Sequence, residues 1–351
     1  MKAPGFAGGC LLTITNKYGL KRSIPEETKR AIRTACGFGC VCCGLAIASY
    51  EHIDPEFCEA SEHDQEKMAY LCEGCHSRVT RKFWSKDRIK KARQNPWCVT
   101  NNKCHDAFDI GSSTELKIII GTNHIINIHE IFKVDETVLL AIEPPESDGG
   151  PFRLSGEFYD EMGRNIFRIC RNEWIGNSQN WDIECVGGRI IIRTGQNNIA
   201  LQLLSQPPFG ITIEKMNMNY RGTSYFADEG FLKVSSHDGG TIIISGREIR
   251  AADGHCVAFT SVSEGNRHKP ADGGAIVVGN DGALRIGDGG GGFTMGALPK
   301  PASFPRTLKG QLMEKHWGQI RFIVPPKKKN IGANEKCPCN SGLKFKKCCG
   351  R

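Results

Sequence analysis

Two pairs of cysteines in the first hundred residues have the spacing of metal ligands. Cys40 and Cys43 form a C-x-x-C knuckle beside glycines, and Cys72 and Cys75 form a second knuckle after 28 intervening residues. Two such knuckles can complete one tetrahedral site of four thiolates around a zinc ion. The chain has 17 cysteines, and their clustering indicates metal binding rather than a disulfide framework. The spacing therefore predicts a structural zinc ion.

Acidic and imidazole side chains lie between and directly after the two knuckles. Glu51 and His52 stand where a strand is expected to end before Pro55, and His76 opens a basic helix predicted over residues 77–92. Hydrolysis of a phosphodiester needs an activated water, a neutraliser of phosphoryl charge and help for the leaving oxygen. A divalent cation held by a carboxylate and an imidazole can supply the last two. A neutral histidine can serve as the general base.

This order of residues resembles the HNH (ββα-metal) endonuclease family over roughly residues 28–95. The family pattern is C-x-x-C, then acid-His-Ile on a β-hairpin, then L-C-x-x-C-H opening a helix. The resemblance implies that His52 is the general base and that Glu51 and His76 hold a catalytic Mg²⁺ or Mn²⁺. It also implies that zinc at the two knuckles holds the hairpin and the helix together.

The sequence departs from the family at two positions. Glu51 replaces the usual Asp, and Lys67 stands where the family has its middle Asn. A lysine has no side-chain carbonyl with which to orient an imidazole. The backbone, Asp54 or the His63-Asp64 pair in the intervening loop could take that part. His63 could also be an additional metal ligand, although we expect it to be a surface residue.

Each candidate has a structural alternative. His52 could be a packed histidine at a strand end, Glu51 a salt-bridge partner of the basic helix, and His76 a group on the zinc side. Whether Cys36 and Cys42 also take part in the zinc site stays open. Cys98, Cys104 and His105 are expected to pack rather than to bind a second metal.

The charge distribution points to a polyanionic partner. The formal net charge is +8, and residues 78–93 hold eight Lys or Arg against one acid. Nucleic acid, with DNA as the expected substrate, is the natural partner of such a segment. The alternative is a solvated helix face. The residues expected to contact phosphates are Arg78, Arg81, Lys82 and Lys86.

Four segments separate by composition. Residues 1–107 hold most of the Cys and His, and residues 26–36 predict a short helix. Residues 108–300 alternate β-branched runs with glycine-rich turns, which predicts short strands in a sandwich or a short solenoid. Residues 301–332 are expected to be a basic linker, and residues 333–351 a compact module. The clearest β-branched runs are LKIIIG, TVLLAIE, GGRIIIRTG, ITIEKMNM, GTIIISG and GAIVVG.

The last segment carries a second cysteine motif. Its C-P-C-x-S-G-x-x-x-K-x-C-C-G pattern resembles the SEC-C zinc motif, with Asn340 in place of a usual glycine. The resemblance implies docking to a protein or nucleic-acid partner, and a unit this small would draw its folding energy from the metal. The four ligands it implies for a second structural zinc are Cys337, Cys339, Cys348 and Cys349.

Together these features predict an α+β multidomain protein: a zinc-stabilised ββα-metal HNH domain, a β-rich middle domain and a small C-terminal zinc module. The expected function is metal-dependent endonuclease activity, as in bacterial defence or a mobile element. The alternatives are a non-catalytic zinc protein that binds nucleic acid through a degenerate HNH frame, and an adaptor. Because no long apolar run is present, no membrane span is expected and a cytoplasmic location is predicted.

Overall fold

The computed structural model describes residues 15–111, 117–207, 210–237, 241–251, 257–261, 275–278 and 293–297. The chain divides into two compact units, Met1–His105 and Asp106–Arg351. We call them the first unit and the second unit. The predicted linker over residues 301–332 and the predicted zinc module over residues 333–351 lie outside the described residues.

The first helix of the first unit, α1, spans Glu26–Cys36. It follows Pro25 and has two acidic residues in its first turn, where negative charge is favourable beside the helix dipole. It ends at Gly37, whose left-handed backbone (φ 71°) directs its N–H to the carbonyl of Thr34. The helix predicted over residues 26–36 is confirmed.

A two-stranded antiparallel sheet follows, made of β1 (Ser49–His52) and β2 (Met68–Leu71). All four residues of β2 are buried, and the rings of Tyr50 and Tyr70 pack with their centroids 5.0 Å apart. The core that surrounds β2 mixes aliphatic residues with the cysteines of the knuckles. Its buried members are Ile32, Cys36, Cys40, Val41, Ile53, Met68, Ala69, Tyr70, Leu71, Cys72, Cys75 and Ile89.

The basic segment after β2 forms two helices, α2 (Glu73–Thr80) and α3 (Lys86–Gln94), where the sequence predicts one. The backbone turns at Lys82, which has a φ of 62°. Ser85 then caps α3 by accepting a hydrogen bond from the N–H of Arg88 through its hydroxyl. The prediction of a single basic helix is therefore wrong, because Ser85 begins a new helix. The other elements of this unit are 3-10 turns at Phe57–Glu59 and Gln65–Lys67 and the helix α4 (Trp97–Asn101), and the strand β3 (Lys103–Ala107) begins in this unit and ends in the second.

The second unit is built from strands, and the six β-branched runs picked out in the sequence each overlap one of them. Alternating burial along most of these strands, such as the pattern at Ile211–Tyr220, places one face of each sheet inward. The strands are β4 (Lys117–Ile120), β5 (Asn123–Ile126), β6 (Glu130–Val134), β7 (Thr137–Glu143), β8 (Arg153–Tyr159), β9 (Asn165–Cys170), β10 (Glu173–Asn177), β11 (Asp182–Val186), β12 (Arg189–Gly195), β13 (Asn198–Ser205), β14 (Ile211–Tyr220), β15 (Thr223–Ala227), β16 (Leu232–Ser235), β17 (Thr241–Ile244), β18 (Arg247–Ala251), β19 (Val257–Ser261), β20 (Ala275–Val278) and β21 (Phe293–Ala297).

These strands form two sheets with mixed pairing. One contains the order β20-β19-β6-β7-β8-β9-β10, and the other runs β11-β12-β13-β14-β4-β5-β18-β21 with β15, β16 and β17 branching from β14. Four pairs, β4 with β14, β5 with β18, β6 with β19 and β19 with β20, are parallel. The sheets pack on each other through aromatic rings, including Phe132 of β6 against Tyr225 of β15 at 4.7 Å.

The predicted α+β class with an N-terminal ββα-metal HNH domain is wrong. Strands dominate the described residues, while the four α-helices are confined to the first unit and the longest has 11 residues. The physical reason is that β-branched and aromatic residues recur through the second unit, where they favour extended backbone. The basic segments that favour helix are short by comparison. None of the described helices has the length and apolarity needed to cross a membrane.

Candidate functional site

The two knuckles converge on one point. Sulfur atoms of four cysteines lie within 4.8 Å of one another, with Cys43 Sγ 3.6 Å from Cys72 Sγ and 3.8 Å from Cys75 Sγ. A tetrahedral zinc site with bonds of about 2.3 Å places its sulfurs about 3.8 Å apart. The cluster of Cys40, Cys43, Cys72 and Cys75 therefore has the size and the donors of a metal site, and its ligand set is the one that the sequence predicts.

Backbone amides support the negative charge of this cluster. The pKa of Cys40 is held far below its ordinary value because the thiols of Cys42 and Cys43 and the backbone N–H groups of Cys72 and Cys42 donate to its sulfur. The N–H of Leu45 donates to the sulfur of Cys43. Amides that point at sulfur stabilise thiolates, the form in which cysteine binds a metal. The donor set thus fits a zinc ion.

The first knuckle is anchored on three sides. The N–H of Val41 donates to the carbonyl of Tyr70 in β2, and the carbonyl of Val41 accepts from Trp97 at the start of α4. His105 Nε2 lies 3.0 Å from the carbonyl oxygen of Cys43. Gly44 has a left-handed φ of 85°, and a Cβ there would lie 2.2 Å from the Trp97 ring. Only glycine fits this position without displacing the indole.

The other thiols that the structure describes in the first unit lie outside the four-cysteine cluster. Burial raises the pKa of Cys36 to about 11 and that of Cys98 to about 12. The Cys98 thiol points at the carbonyl of Gly44, 3.7 Å away. Cys42 approaches the cluster through its hydrogen bond to Cys40. Within the described residues, Cys98 and Cys104 join no group of metal-binding side chains, and both are fully buried.

A carboxylate and an imidazole meet beside this cluster. Glu51 projects from β1 and His76 from the first turn of α2, and Glu51 Oε2 lies 3.2 Å from His76 Nε2. Both side chains are 39% exposed. Two ligands about 2.1 Å from one cation, at a right angle, lie about 3.0 Å apart. The pair can therefore supply two neighbouring ligands to a small divalent cation, and it is also an ordinary ion pair when His76 is protonated.

His52 has different neighbours. Successive residues of a strand point to opposite faces, and His52 turns to the other side of β1 from Glu51. Its Nε2 lies 3.1 Å from Nδ1 of His63, and Nε2 of His63 lies 2.8 Å from the carbonyl oxygen of Lys21. His52 is buried, and both this burial and the neighbouring His63 lower its pKa. The structure thus pairs Glu51 with His76 and pairs His52 with His63.

The carboxylates of Asp54 and Asp64, which the sequence offers as partners for His52, pair with lysines instead. Lys67 pairs through its ammonium with Asp64 at 3.1 Å, and its carbonyl accepts from the N–H of Ile53. Asp54 pairs with Lys90 of α3 at 2.8 Å. His63 is the residue that contacts His52, and its side chain is partly buried. The sequence shows a histidine in the loop between the knuckles, but whether it contacts His52 depends on the fold of that loop.

The basic surface is divided between α2 and α3. Arg78 and Arg81 line an open surface cavity of about 500 Å³ together with Phe83 and Trp84. The guanidinium carbons of Arg78 and Arg88 lie 4.9 and 4.1 Å from the centre of the Trp84 ring, which is cation–π range. Phe83 is 80% exposed, so it is not part of a buried helix stripe.

Two of the predicted phosphate contacts stand apart from that cavity. Lys82 is exposed at the turn between α2 and α3. Lys86 forms an ion pair with Glu56 at 2.6 Å. Arg78, Arg81 and Lys82 therefore offer positive charge to solvent, whereas the charge of Lys86 is partly neutralised within the protein.

Comparison with known proteins finds a family motif and a relative that matches a short part of the chain. The SEC-C motif matches residues 334–351, which confirms the resemblance noted in the sequence. Cys337, Cys339, Cys348 and Cys349 fall within this match, although they lie outside the described residues. The UPF0225 protein plu2503 of Photorhabdus laumondii subsp. laumondii is 48% identical to the chain over 40 residues. That alignment covers 11% of this chain and 25% of the relative. No solved structure matches the chain.

Proposed function

We propose that the first unit is a metal-dependent endonuclease that hydrolyses phosphodiester bonds, with DNA as its substrate. The observation that carries this proposal is the contact between Glu51 and His76, a half-exposed carboxylate–imidazole pair with 3.2 Å between its ligand atoms. It is the activity that the HNH resemblance implies. The proposal does not depend on the fold class that the resemblance suggested, because it rests on the contacts that these side chains make in the structure.

Glu51 and His76 would hold Mg²⁺ or Mn²⁺, a cation that neutralises phosphoryl charge and stabilises the leaving oxygen. His52 would act as the general base that takes a proton from the attacking water. Glu51 and His52 project to opposite sides of β1, and His52 is the last residue of that strand. The scissile phosphate must therefore lie across the end of β1, where it can meet both side chains.

The basic residues would bind the rest of the substrate. Arg78, Arg81 and Lys82 are exposed and can contact phosphates without sequence preference. Phe83, at 80% exposure, offers a ring beside these charges on which an unpaired base can stack. We propose structural zinc ions at the four-cysteine cluster and at the SEC-C motif, the latter serving to dock a protein or nucleic-acid partner.

A second candidate function is binding of nucleic acid without cleavage. It is favoured by Lys67, which holds Asp64 rather than His52, and by the ordinary ion pair that Glu51 and His76 can make. In this case the two knuckles would stabilise the fold and the basic surface would bind nucleic acid, while His52 would take no part in catalysis. The two functions differ in one respect that can be measured, which is whether bound DNA is cut.

The test is cleavage of supercoiled plasmid by the full-length chain, purified without chelator, with added Mg²⁺ or Mn²⁺ and with excess EDTA as the metal-free reaction. We expect nicking by the wild type and a loss on the order of 100-fold or more in His52→Ala, because a general base contributes about that factor. His124→Ala in the second unit is the matched control and should cut like the wild type. Binding of the plasmid by all three proteins without nicking would establish the non-catalytic function instead.

A further inference from the structure

His52 and His63 belong to one hydrogen-bonded relay that ends on the backbone. His63 Nε2 lies 2.8 Å from the carbonyl oxygen of Lys21, and His63 Nδ1 lies 3.1 Å from His52 Nε2. A carbonyl oxygen can only accept, so Nε2 of His63 carries a proton. In a neutral imidazole the other nitrogen is then an acceptor. With both rings neutral, Nδ1 of His63 accepts and Nε2 of His52 must donate.

This assignment leaves Nδ1 of His52 without a proton. Among the described residues, that nitrogen has no hydrogen-bond partner, and it is not among the polar atoms sealed from solvent. His52 as a whole residue is 7% exposed, so Nδ1 lies at the edge of a buried side chain. A lone pair in this position is available to accept a proton from a water molecule.

The outer end of the relay is held rigidly. Asn16 donates from its side-chain amide to the carbonyls of Phe57 and Ala60, both at 2.6 Å, and accepts from the N–H of Leu20. These bonds tie the segment that carries Lys21 to the turn that carries Phe57. The Phe57 ring lies nearly parallel to His63, at 15° with centroids 6.4 Å apart, and 5.7 Å from His52. Packing and backbone together therefore fix the orientation of both imidazoles.

We infer that His63 is a positioning residue that holds His52 in the tautomer with the proton on Nε2 and the lone pair on Nδ1. It takes the part for which Lys67 is unsuited, and it does so through an imidazole nitrogen rather than an amide oxygen. This inference rests on the proposed nuclease function for its catalytic consequence. The hydrogen-bond relay itself can be tested without substrate.

The experiment compares wild type, His63→Phe and His63→Asn in the full-length, zinc-loaded chain. Phenylalanine keeps a ring that can pack on Phe57 but has no acceptor, whereas asparagine restores an acceptor oxygen. Long-range ¹H–¹⁵N spectra report which nitrogen of His52 is protonated. We expect the Nε2–H form in the wild type, a mixture of tautomers in His63→Phe, and a return towards Nε2–H in His63→Asn.

Plasmid cleavage by the same three proteins supplies the catalytic readout. We expect kcat to fall by on the order of 100-fold in His63→Phe with the KM for DNA within about 2-fold, and His63→Asn to recover most of the rate. A wild-type His52 protonated on Nδ1, or a tautomer unchanged in His63→Phe, would overturn the inference. The expected spectra together with a wild type that does not cut would refute the nuclease and leave the relay intact.

Discussion

The two units hold their polar side chains in different ways. In the second unit, carboxylates are paired with arginines along the strands, as in the two-pronged contact of Arg189 with Glu214 at 2.7 and 2.8 Å. Asp182, which is buried, is paired with Arg193. In the first unit, Glu51 meets an imidazole instead and stays half-exposed. An acid already matched by a guanidinium is a structural group, whereas an acid beside a histidine can still take a cation.

The units also differ in what stabilises them. The second unit buries large side chains between two sheets, with Trp174 and Tyr225 among those fully inside. The first unit has a two-stranded sheet of four-residue strands, and three of its buried core residues are knuckle cysteines, with the fourth, Cys43, partly buried against them. Small sheets are marginally stable alone. The first unit should therefore depend on its metal, and the second should not.

Removal of one thiolate should have the largest effect. We expect Cys72→Ser to lower the zinc content from two ions per chain to one, and to destabilise the first unit by on the order of 10 kcal/mol, so that it unfolds. Elemental analysis and limited proteolysis of the full-length chain measure both changes. Cys58→Ser is the matched control, because Cys58 lies in the first unit but outside the cluster. Unchanged zinc in Cys72→Ser would exclude the cluster as a metal site.

Truncation of a core indole should affect the second unit alone. Trp174 is 1% exposed and packs against Phe167 and Phe108, with ring centroids 5.2 and 6.2 Å away. We expect Trp174→Ala to cost about 4 kcal/mol of stability in this unit through lost burial and a residual cavity. Zinc content should stay at the wild-type value. If Trp174→Ala also lost zinc, the stability of the first unit would depend on that of the second.

A methyl group at Gly44 should disturb the knuckle. The added Cβ would lie 2.2 Å from the Trp97 ring on a backbone with φ 85°. We expect Gly44→Ala to destabilise the first unit by about 3 kcal/mol through overpacking and strain, as measured by denaturant titration. Gly74→Ala is the control, because apart from its chain neighbours and the backbone of α2 nothing lies within 4 Å of its Cβ position. That helical substitution should stabilise by about 0.5–1 kcal/mol, and equal effects at the two positions would speak against the packing described for Gly44.

Loss of the Glu51 charge should have the smallest effect on stability. The ion pair with His76 is half-exposed, and such pairs contribute about 0–1 kcal/mol. We therefore expect Glu51→Gln to unfold at nearly the same denaturant concentration as the wild type. A loss of several kcal/mol would mean that Glu51 is a structural group of the first unit rather than a ligand for a cation.

Local spacing predicted the parts of the molecule that depend on neighbours in sequence. The C-x-x-C pairs, α1 and the β-branched strands were all predictable, because each is determined by a few adjacent residues. The break between α2 and α3 was also encoded locally, in the capping hydroxyl of Ser85. It was missed because the run of basic residues on both sides favours a single helix.

The relay of His52 could not be predicted in the same way. His63 reaches His52 across a loop, and the carbonyl that fixes its tautomer belongs to Lys21, 42 residues away in sequence. No side-chain pattern marks a backbone carbonyl as a partner. The prediction of the fold class was wrong for a different reason. It followed the cysteine-rich first unit, whereas the many strands of the second unit determine the class.

The most direct test of the central claim is made on one preparation of Glu51→Gln beside the wild type. Zinc content, plasmid binding and Mn²⁺-dependent nicking are measured on the same full-length proteins. If the four cysteines bind a structural zinc and Glu51 binds a separate catalytic cation, Glu51→Gln will keep its zinc and bind plasmid but will no longer nick it. Nicking at the wild-type rate by Glu51→Gln would contradict the account, because the carboxylate assigned to the catalytic cation would then be dispensable.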